Sequence, residues 1–440
     1  MEKRIFLPLL ILVYFALAVG YSIVTPAATV DQHNPDENAH MEYVAKMASG
    51  HLPVFTDPQH GYEFHQPPLY YALCVPVYLA TRGHGEAAAT KAVRSVSLLL
   101  GGLLIWVTFL AVAALVPEEP LLALATSVVV GLLPSNLAVS ASVTNDSLTT
   151  LICAAALWQL IRLIRNLEGS SLPGDWRRQA IWLGVTLGVG VWTKSLTLSL
   201  FPTVLIAFLL LARSGKISGR QAALGATYAV GVGALLGMPW LARNTLLYGD
   251  ALAQHVLFVQ LNNGGNNVPI DQMIALFGGL GGYFLKVAQW TFASYWGGFD
   301  SMRLFWDQSP SKAHPNFLSG LSPTYLWLLL LSMLPLSGIV WRLRRSRESF
   351  TRSLALAALA IQVLFTGIAF LNYNLHFFQA QGRYLYPALL PLSFFFVWGW
   401  SGLLPRPLWF RAFVGMITAG LVGLNLYTIF GLLVPRFNNL

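Results

Sequence analysis

The stretch Asp31-Gln32-His33-Asn34-Pro35-Asp36-Glu37-Asn38-Ala39-His40 is the densest polar run in an otherwise mostly apolar chain. Asn34 followed by Pro35 reads as a helix N-cap and first-turn proline, which places Asp36 and Glu37 in the first turn, where the helix dipole favours negative charge. An acidic pair there can accept a proton or hold a cation. His40 lies one turn beyond Asp36 on the same face, close enough to share a hydrogen bond, a proton or a metal with it. The plainer reading is the solvated cap of a helix lying on the membrane surface.

Downstream, Tyr62-Glu63-Phe64-His65-Gln66-Pro67-Pro68-Leu69-Tyr70-Tyr71 sets two prolines after His65 and Gln66. Prolines hold the preceding residues extended, so His65 is presented on a fixed turn as a substrate contact or metal ligand. Thr144-Asn145-Asp146-Ser147, between two apolar runs, is either an ordinary N-cap or a second carboxylate facing Asp36 across a cavity. A divalent metal held by Asp36, His40, His65 or Asp146 is one chemistry open to this set.

Three cations follow at the ends of apolar runs: Lys194 after Trp192-Thr193, Arg243 after Trp240-Leu241-Ala242, and Arg383 before Tyr384 in Gln381-Gly382-Arg383-Tyr384. Ionisable groups at membrane depth are costly and mark functional sites. Together these three point to an anion, most simply an amphiphile with a phosphate or pyrophosphate head, since arginine forks match phosphate oxygens and lysine adds a point charge. Taken singly, each can instead snorkel to lipid head groups. The aromatic, glycine-rich run from Phe292 to Asp300 fits an interfacial belt as well as a sugar-stacking surface.

The elements that must position these residues are transmembrane helices. Of 440 residues 55% are hydrophobic and only 10% charged, with mean hydropathy +0.60, so the bilayer is the solvent. The net charge of +9 is spread in short clusters between apolar runs, which argues against nucleic acid as a partner. Cys74 and Cys153, both in apolar sequence, leave no disulfide framework. Candidate spans are 5–27, 97–116, 121–141, 147–161, 179–193, 196–212, 221–240, 323–341, 354–371, 385–404 and 412–433. The first is longer than a signal-peptide core and reads as a retained helix.

Arginine and lysine gather at 162–178, 213–220, 342–352 and 406–411, which the positive-inside rule makes cytoplasmic. Alternation then puts Asp36, Asp146, Lys194, Arg243 and Arg383 on the opposite face, provided that 69–81, short and interrupted by Pro76, does not cross. That topology makes Arg82, Lys91 and Arg94 external and Glu118 and Glu119 cytoplasmic, against the charge rule. The expected fold is an all-α polytopic membrane protein of about 11 transmembrane helices. One membrane domain is expected, comprising a module at 1–245 with interfacial helices in an external loop at 28–96, a second external region at 246–322, and C-terminal helices at 323–440, with no separate soluble domain.

Taken in order, Pro-Asp-Glu after the first helix, His-Gln-Pro-Pro-Leu-Tyr-Tyr, Asn-Asp at a helix start, Pro-Trp with Arg-Asn and Tyr-Gly-Asp, and Gln-Gly-Arg-Tyr-Leu-Tyr-Pro resemble the GT-C superfamily of membrane glycosyltransferases. Within it, the chain resembles bacterial protein O-mannosyltransferases and lipid A aminoarabinose transferases. The resemblance implies transfer of one sugar from a polyprenyl-phosphate donor to a hydroxyl-bearing lipid, glycan or protein acceptor, usually with inversion, at the external face of a bacterial or archaeal cell membrane. It implies Asp36 as general base, Glu37 and Asp146 as further catalytic acids, and Lys194, Arg243 and Arg383 as ligands of the donor phosphate. His40, His65, Gln66 and Tyr384 become substrate or acceptor contacts. Two rivals stay open: a flippase or transporter for an anionic lipid, and a ligase or polymerase using a pyrophosphate-linked glycan. The enzyme reading requires the early carboxylates, the mid-chain lysine and the late arginines to share one pocket.

Overall fold

The computed structural model describes residues 3–27, 33–56, 61–166, 175–263, 268–308, 320–345 and 350–438; Asp31, Gln32 and Arg347 lie outside them. Each expected apolar run is built on a helix. In order these are α1 (Lys3–Val24), α2 (Glu37–Ala48), α3 (Leu69–Thr81), α4 (Glu86–Leu115), α5 (Pro120–Leu132), α6 (Pro134–Ser140), α7 (Asp146–Arg165), α8 (Trp176–Val191), α9 (Leu200–Arg213), α10 (Gly219–Ala226) and α11 (Val232–Tyr248). After them come α12 (Gln254–Asn263), α13 (Ile270–Leu276), α14 (Leu280–Gly297), α15 (Pro323–Arg345), α16 (Phe350–Asn374), α17 (Leu389–Leu403) and α18 (Pro407–Leu426). Among the described residues, 8 helices are long and apolar enough to cross a bilayer, or 9 if the pair α5 and α6, bent by 61° where Pro134 opens the second helix, counts as one. Of the eleven expected spans, α8 and α17 have 16 and 15 residues and fall short of a full crossing on their own. The chain is an all-α integral membrane protein; a short hairpin pairing Gly298–Phe299 with Leu304–Phe305 interrupts the helices.

The segment 69–81 is too short to cross a bilayer on its own. It forms the 13-residue α3, about 20 Å long at 1.5 Å per residue and short of a hydrocarbon core of about 30 Å. The amide of Leu69 bonds the carbonyl of Trp192, beside Lys194, so α3 starts at the polar end of the bundle. Within the Phe292-to-Asp300 run, Trp296 and Phe299 turn inward and are buried in the main core.

Two ion-pair groups account for three of the charges that broke the positive-inside rule, Arg94, Glu118 and Glu119. At one end, Arg342 donates to both oxygens of Glu119, at 3.1 and 2.5 Å, and Arg352 pairs with Glu118. The two glutamates therefore stand among the arginine clusters, at the end towards which α7 runs from Asp146 to Arg162 and Arg165. At the other end, Arg94 has no exposed surface and uses all five of its donors. It holds the Ser22, Thr25 and Pro26 carbonyls at the open C-terminal end of α1 and both oxygens of Glu37, at 2.9 and 2.6 Å. Glu37 in turn accepts from the Val143 amide at 2.9 Å and from Asn34 at 3.1 Å. One buried pair thus ties α1, α2, α4 and the 141–145 loop together.

Elsewhere small residues let helices approach closely, as membrane packing favours. A Cβ on Gly338 of α15 would lie 1.9 Å from the carbonyl oxygen of Gly399 in α17.

Removing one partner of a fully buried pair leaves an uncompensated charge. Arg94→Met should therefore destabilise the protein by about 3–5 kcal/mol. Thermal unfolding in detergent reads this directly: Arg94→Met combined with Glu37→Gln should recover part of the loss, whereas Arg342→Ala, at a half-exposed pair, should cost far less.

Candidate functional site

The site starts at Asp36. Helix α2 opens at Glu37, two residues later than Asn34 and Pro35 suggest, and Asp36 is its N-cap residue, at φ 57° and ψ 14°. This left-handed conformation is one that aspartate tolerates better than most residues. Its side chain makes no capping bond, because Arg383 holds it: Nη2 of Arg383 donates to Asp36 Oδ2 at 2.7 Å. The neighbouring Glu37 points the other way, into Arg94, and is 1% exposed. The two acids of the motif thus separate, Asp36 towards the cavity and Glu37 into the scaffold.

Asp146, the first residue of α7, receives two cations. Lys194 Nζ donates to Oδ1 at 2.5 Å and Arg383 Nη1 to Oδ2 at 3.3 Å. A row of alternating charge results: Asp36, Arg383, Asp146, Lys194. Lys194 sits in the extended break between α8 and the turn Ser195–Ser199, also donating to Asn145 Oδ1 at 3.2 Å. Arg383 rides on the 3-10 turn Gly382–Ala388, whose first residue lies against the Tyr295 backbone; a Cβ on Gly382 would come within 2.3 Å of the Tyr295 nitrogen. Only glycine permits that approach. The ring of Tyr384 lies 5.5 Å from the Lys194 ammonium and 5.3 Å from the Arg383 guanidinium, within cation–π range.

The row continues through neutral groups. Asn145 Nδ2 donates to Gln66 Oε1 at 3.3 Å, Gln66 Nε2 donates to His65 Nε2 at 3.0 Å, and His65 Nδ1–H donates to the Tyr62 carbonyl at 2.9 Å. Burial pushes the His65 imidazole down to about 4, so it is neutral at pH 7. His40 bonds the Tyr71 hydroxyl at 2.9 Å, not Asp36, and burial likewise holds it below the usual histidine range.

Asp36, His40, Glu63, His65, Gln66, Lys194, Arg383 and Tyr384 line a cavity of about 230 Å³. Leu196, Leu198, Leu252, Leu257 and Phe370 add apolar surface to its lining. The polar and apolar lining together suits an amphiphile. Arg243 stands apart, donating at 2.5 Å to the Pro53 carbonyl and stacked 4.8 Å over Trp240; it braces the first loop and is not among the residues lining the cavity. Sequence reasoning missed Arg94 as the scaffold's key cation, although its offence against the charge rule was the signal, and it passed over Glu63 beside His65.

Among the described residues no group of three or more His, Cys, Asp or Glu side chains is placed to hold a metal ion. Of the four candidate ligands, Asp36 and Asp146 already face Arg383 and Lys194, and His65 uses both ring nitrogens.

Because the folded His65 resists protonation and the unfolded one does not, its contribution to stability is complete above pH 6.5 and is lost as pH falls towards about 4. A loss of about 3 kcal/mol is expected across that window. His65→Gln should flatten this acid limb in thermal unfolding measured against pH; an unchanged limb would show that the burial is not felt.

Residues 71–242 match the sequence model of the dolichyl-phosphate-mannose-protein mannosyltransferase family. Comparison with curated proteins gave no match. Among solved structures, the archaeal oligosaccharyltransferase AglB from Archaeoglobus fulgidus, in complex with an inhibitory peptide and a dolichol-phosphate, superposes with a TM-score of 0.57 at 14% identity, over 99% of this chain and 56% of that one. The same organism's enzyme in complex with Zn and sulfate gives 0.56 at 15% identity, over 97% and 52%. ArnT from Cupriavidus metallidurans bound to undecaprenyl phosphate gives 0.42 at 16%, over 92% and 78%. The chain spans little more than half the length of the oligosaccharyltransferases it matches. It has the fold of the GT-C membrane glycosyltransferases, and over residues 71–242 it carries the sequence pattern of the mannosyltransferase family.

Proposed function

We propose that the protein is a glycosyltransferase that moves a sugar from a polyprenyl-phosphate donor to a hydroxyl-bearing acceptor, with inversion, at the non-cytoplasmic face of a bacterial or archaeal cell membrane. The observation that carries this reading is the charge row Asp36, Arg383, Asp146 and Lys194, of which Asp36, Arg383 and Lys194 line one cavity together with apolar side chains. The dolichol-phosphate held by the archaeal enzyme of the same fold is consistent with it. In the reaction the acceptor oxygen bonds the anomeric carbon, the bond from that carbon to the phosphate oxygen breaks, and the electron pair leaves with the polyprenyl phosphate. Asp36, whose side chain is 26% exposed against 3% for Asp146, takes the acceptor proton. Arg383 and Lys194 stabilise the departing phosphate, which requires Arg383 to exchange Asp36 for a phosphate oxygen. That exchange also frees the base. Glu37, held in the scaffold, positions Asp36; Asp146 holds the two cations in place. His40, His65, Gln66 and Tyr384 border the space left for the sugar and acceptor, and the leucines and Phe370 suit the prenyl chain.

The outward orientation is supported by the arginine clusters at the opposite end of the bundle, by the positive-inside rule. Cysteines placed at exposed His51 and Lys216 test it: an impermeant maleimide added to intact cells should label position 51 and spare 216.

Asp36→Asn should lower transfer by roughly 10² to 10⁴ while polyprenyl phosphate still binds. Undiminished turnover of this variant in vesicles would remove Asp36 as the base. Mass spectrometry of lipid, glycan and protein fractions from cells with and without the chain should reveal a single added sugar; movement of lipid with no new glycosidic bond would favour a flippase, and addition of a whole glycan a ligase.

A further inference from the structure

Arg383 grips Asp36, and the transfer proposed above requires that grip to pass to the phosphate. Something else must then keep the carboxylate in place. Behind it stands Glu37, bound to Arg94. The first loop has a second, separate anchor at His33. His33 Nδ1–H donates to Asp300 Oδ1 at 2.8 Å, and the side chain of Asp300 is wholly buried. Arg303 Nη2 donates to the same oxygen at 2.7 Å, while Arg436 Nε donates to Oδ2 at 2.9 Å. Phe437 meets His33 in a T-shaped contact, with 4.8 Å between ring centres. Arg436 and Phe437 lie on the helical stretch that continues α18 through Tyr427–Leu433 to Val434–Phe437. Asp300 thereby joins the first loop, the hairpin turn and this last helix.

Two observations set this cluster apart from ordinary packing. Asp300, Ser301 and Met302 are successive non-glycine residues in the left-handed region, at φ 50°, 51° and 70°. Such backbone is costly and persists where the surroundings over-determine it. Here it delivers a carboxylate to His33 and Arg436. In addition, His33, Asn34, Pro35, Asp300 and Ser301 border a cavity of about 40 Å³ that Arg383 also lines. On this side the loop is not closely packed throughout, and its hold rests on the bond to Asp300.

We infer that Asp300, kept in place by Arg436, is a positioning residue for Asp36: it pins the first loop through His33, so that the base stays aimed when Arg383 turns to the donor phosphate. This rests on the glycosyl-transfer reading above and adds to it residues outside the larger cavity. Neither Asp300 nor Arg436 lines that cavity, so their loss should leave lipid binding alone.

Three measurements on the full chain test this. They are undecaprenyl phosphate binding in detergent, hydrogen exchange across residues 33–41, and the sugar added in cells carrying each variant, read by mass spectrometry per amount of chain in the membrane. Asp300→Asn keeps a residue that tolerates the left-handed backbone and removes the charge. Arg436→Gln leaves Asp300 paired with Arg303, and Arg436→Lys keeps the cation. Asp300→Asn and Arg436→Gln should bind the lipid as the unmodified chain does, exchange faster at 33–41, and add between about tenfold and a hundredfold less sugar. Arg436→Lys should restore most of the transfer. The double variant should be no worse than the worse single one, because both act through one contact. The inference is overturned if both variants transfer normally, if transfer falls with exchange at 33–41 unchanged, or if Arg436→Lys restores nothing. It is equally overturned if lipid binding falls in step with transfer, as a merely structural role predicts. Should Asp300→Asn fail to fold, Arg436→Gln and Arg436→Lys decide. Failure of the transfer reading itself looks different: the unmodified chain adds no sugar, or Asp36→Asn adds as much as it does, and the positioning role then falls too.

Discussion

Asp36, Arg383, Asp146 and Lys194 come from four separate parts of the chain, and each is held by a neighbour of opposite sign. In a largely apolar protein none of them has a cheap alternative. A cation or carboxylate drawn from water into the end of a helix bundle is destabilising unless another charge meets it. The row therefore fixes how the first loop, the start of α7, the break after α8 and the turn before α17 sit relative to one another.

Beneath this row the Arg94–Glu37 pair does structural work. The carbonyls at the end of α1 have no helical partner, and one guanidinium satisfies three of them while gripping the residue next to Asp36. The left-handed turn at Asp36 is thereby held from behind by Glu37 and from in front by Arg383. A backbone residue in this conformation, held between two anchors, presents its side chain in one direction.

The cavity's composition has its own logic. Its polar residues come from the first loop and the breaks between helices, where the backbone leaves its regular pattern, and Leu196, Leu198, Leu252, Leu257 and Phe370 complete the lining. Irregular backbone at membrane depth is tolerated where it lines a polar cavity, so breaks at Lys194 and Arg383 and a cavity between them belong together.

Much of this was written in local sequence. Apolar runs marked the helices, and arginine clusters marked one end of the bundle, because each follows from the cost of placing side chains in lipid. The unusual acids and cations stood out for the same reason, and 71–242 held enough pattern to be matched to a family. The tertiary structure decided what pairing means. It turned Glu37 into scaffold, set Arg243 outside the cavity, and left Glu63 within it as the site's one carboxyl without a cation among the described residues. Residue type reveals that a charge needs a partner; which partner it finds depends on contacts between segments as much as 347 residues apart, as for Asp36 and Arg383. No local periodicity encodes such contacts.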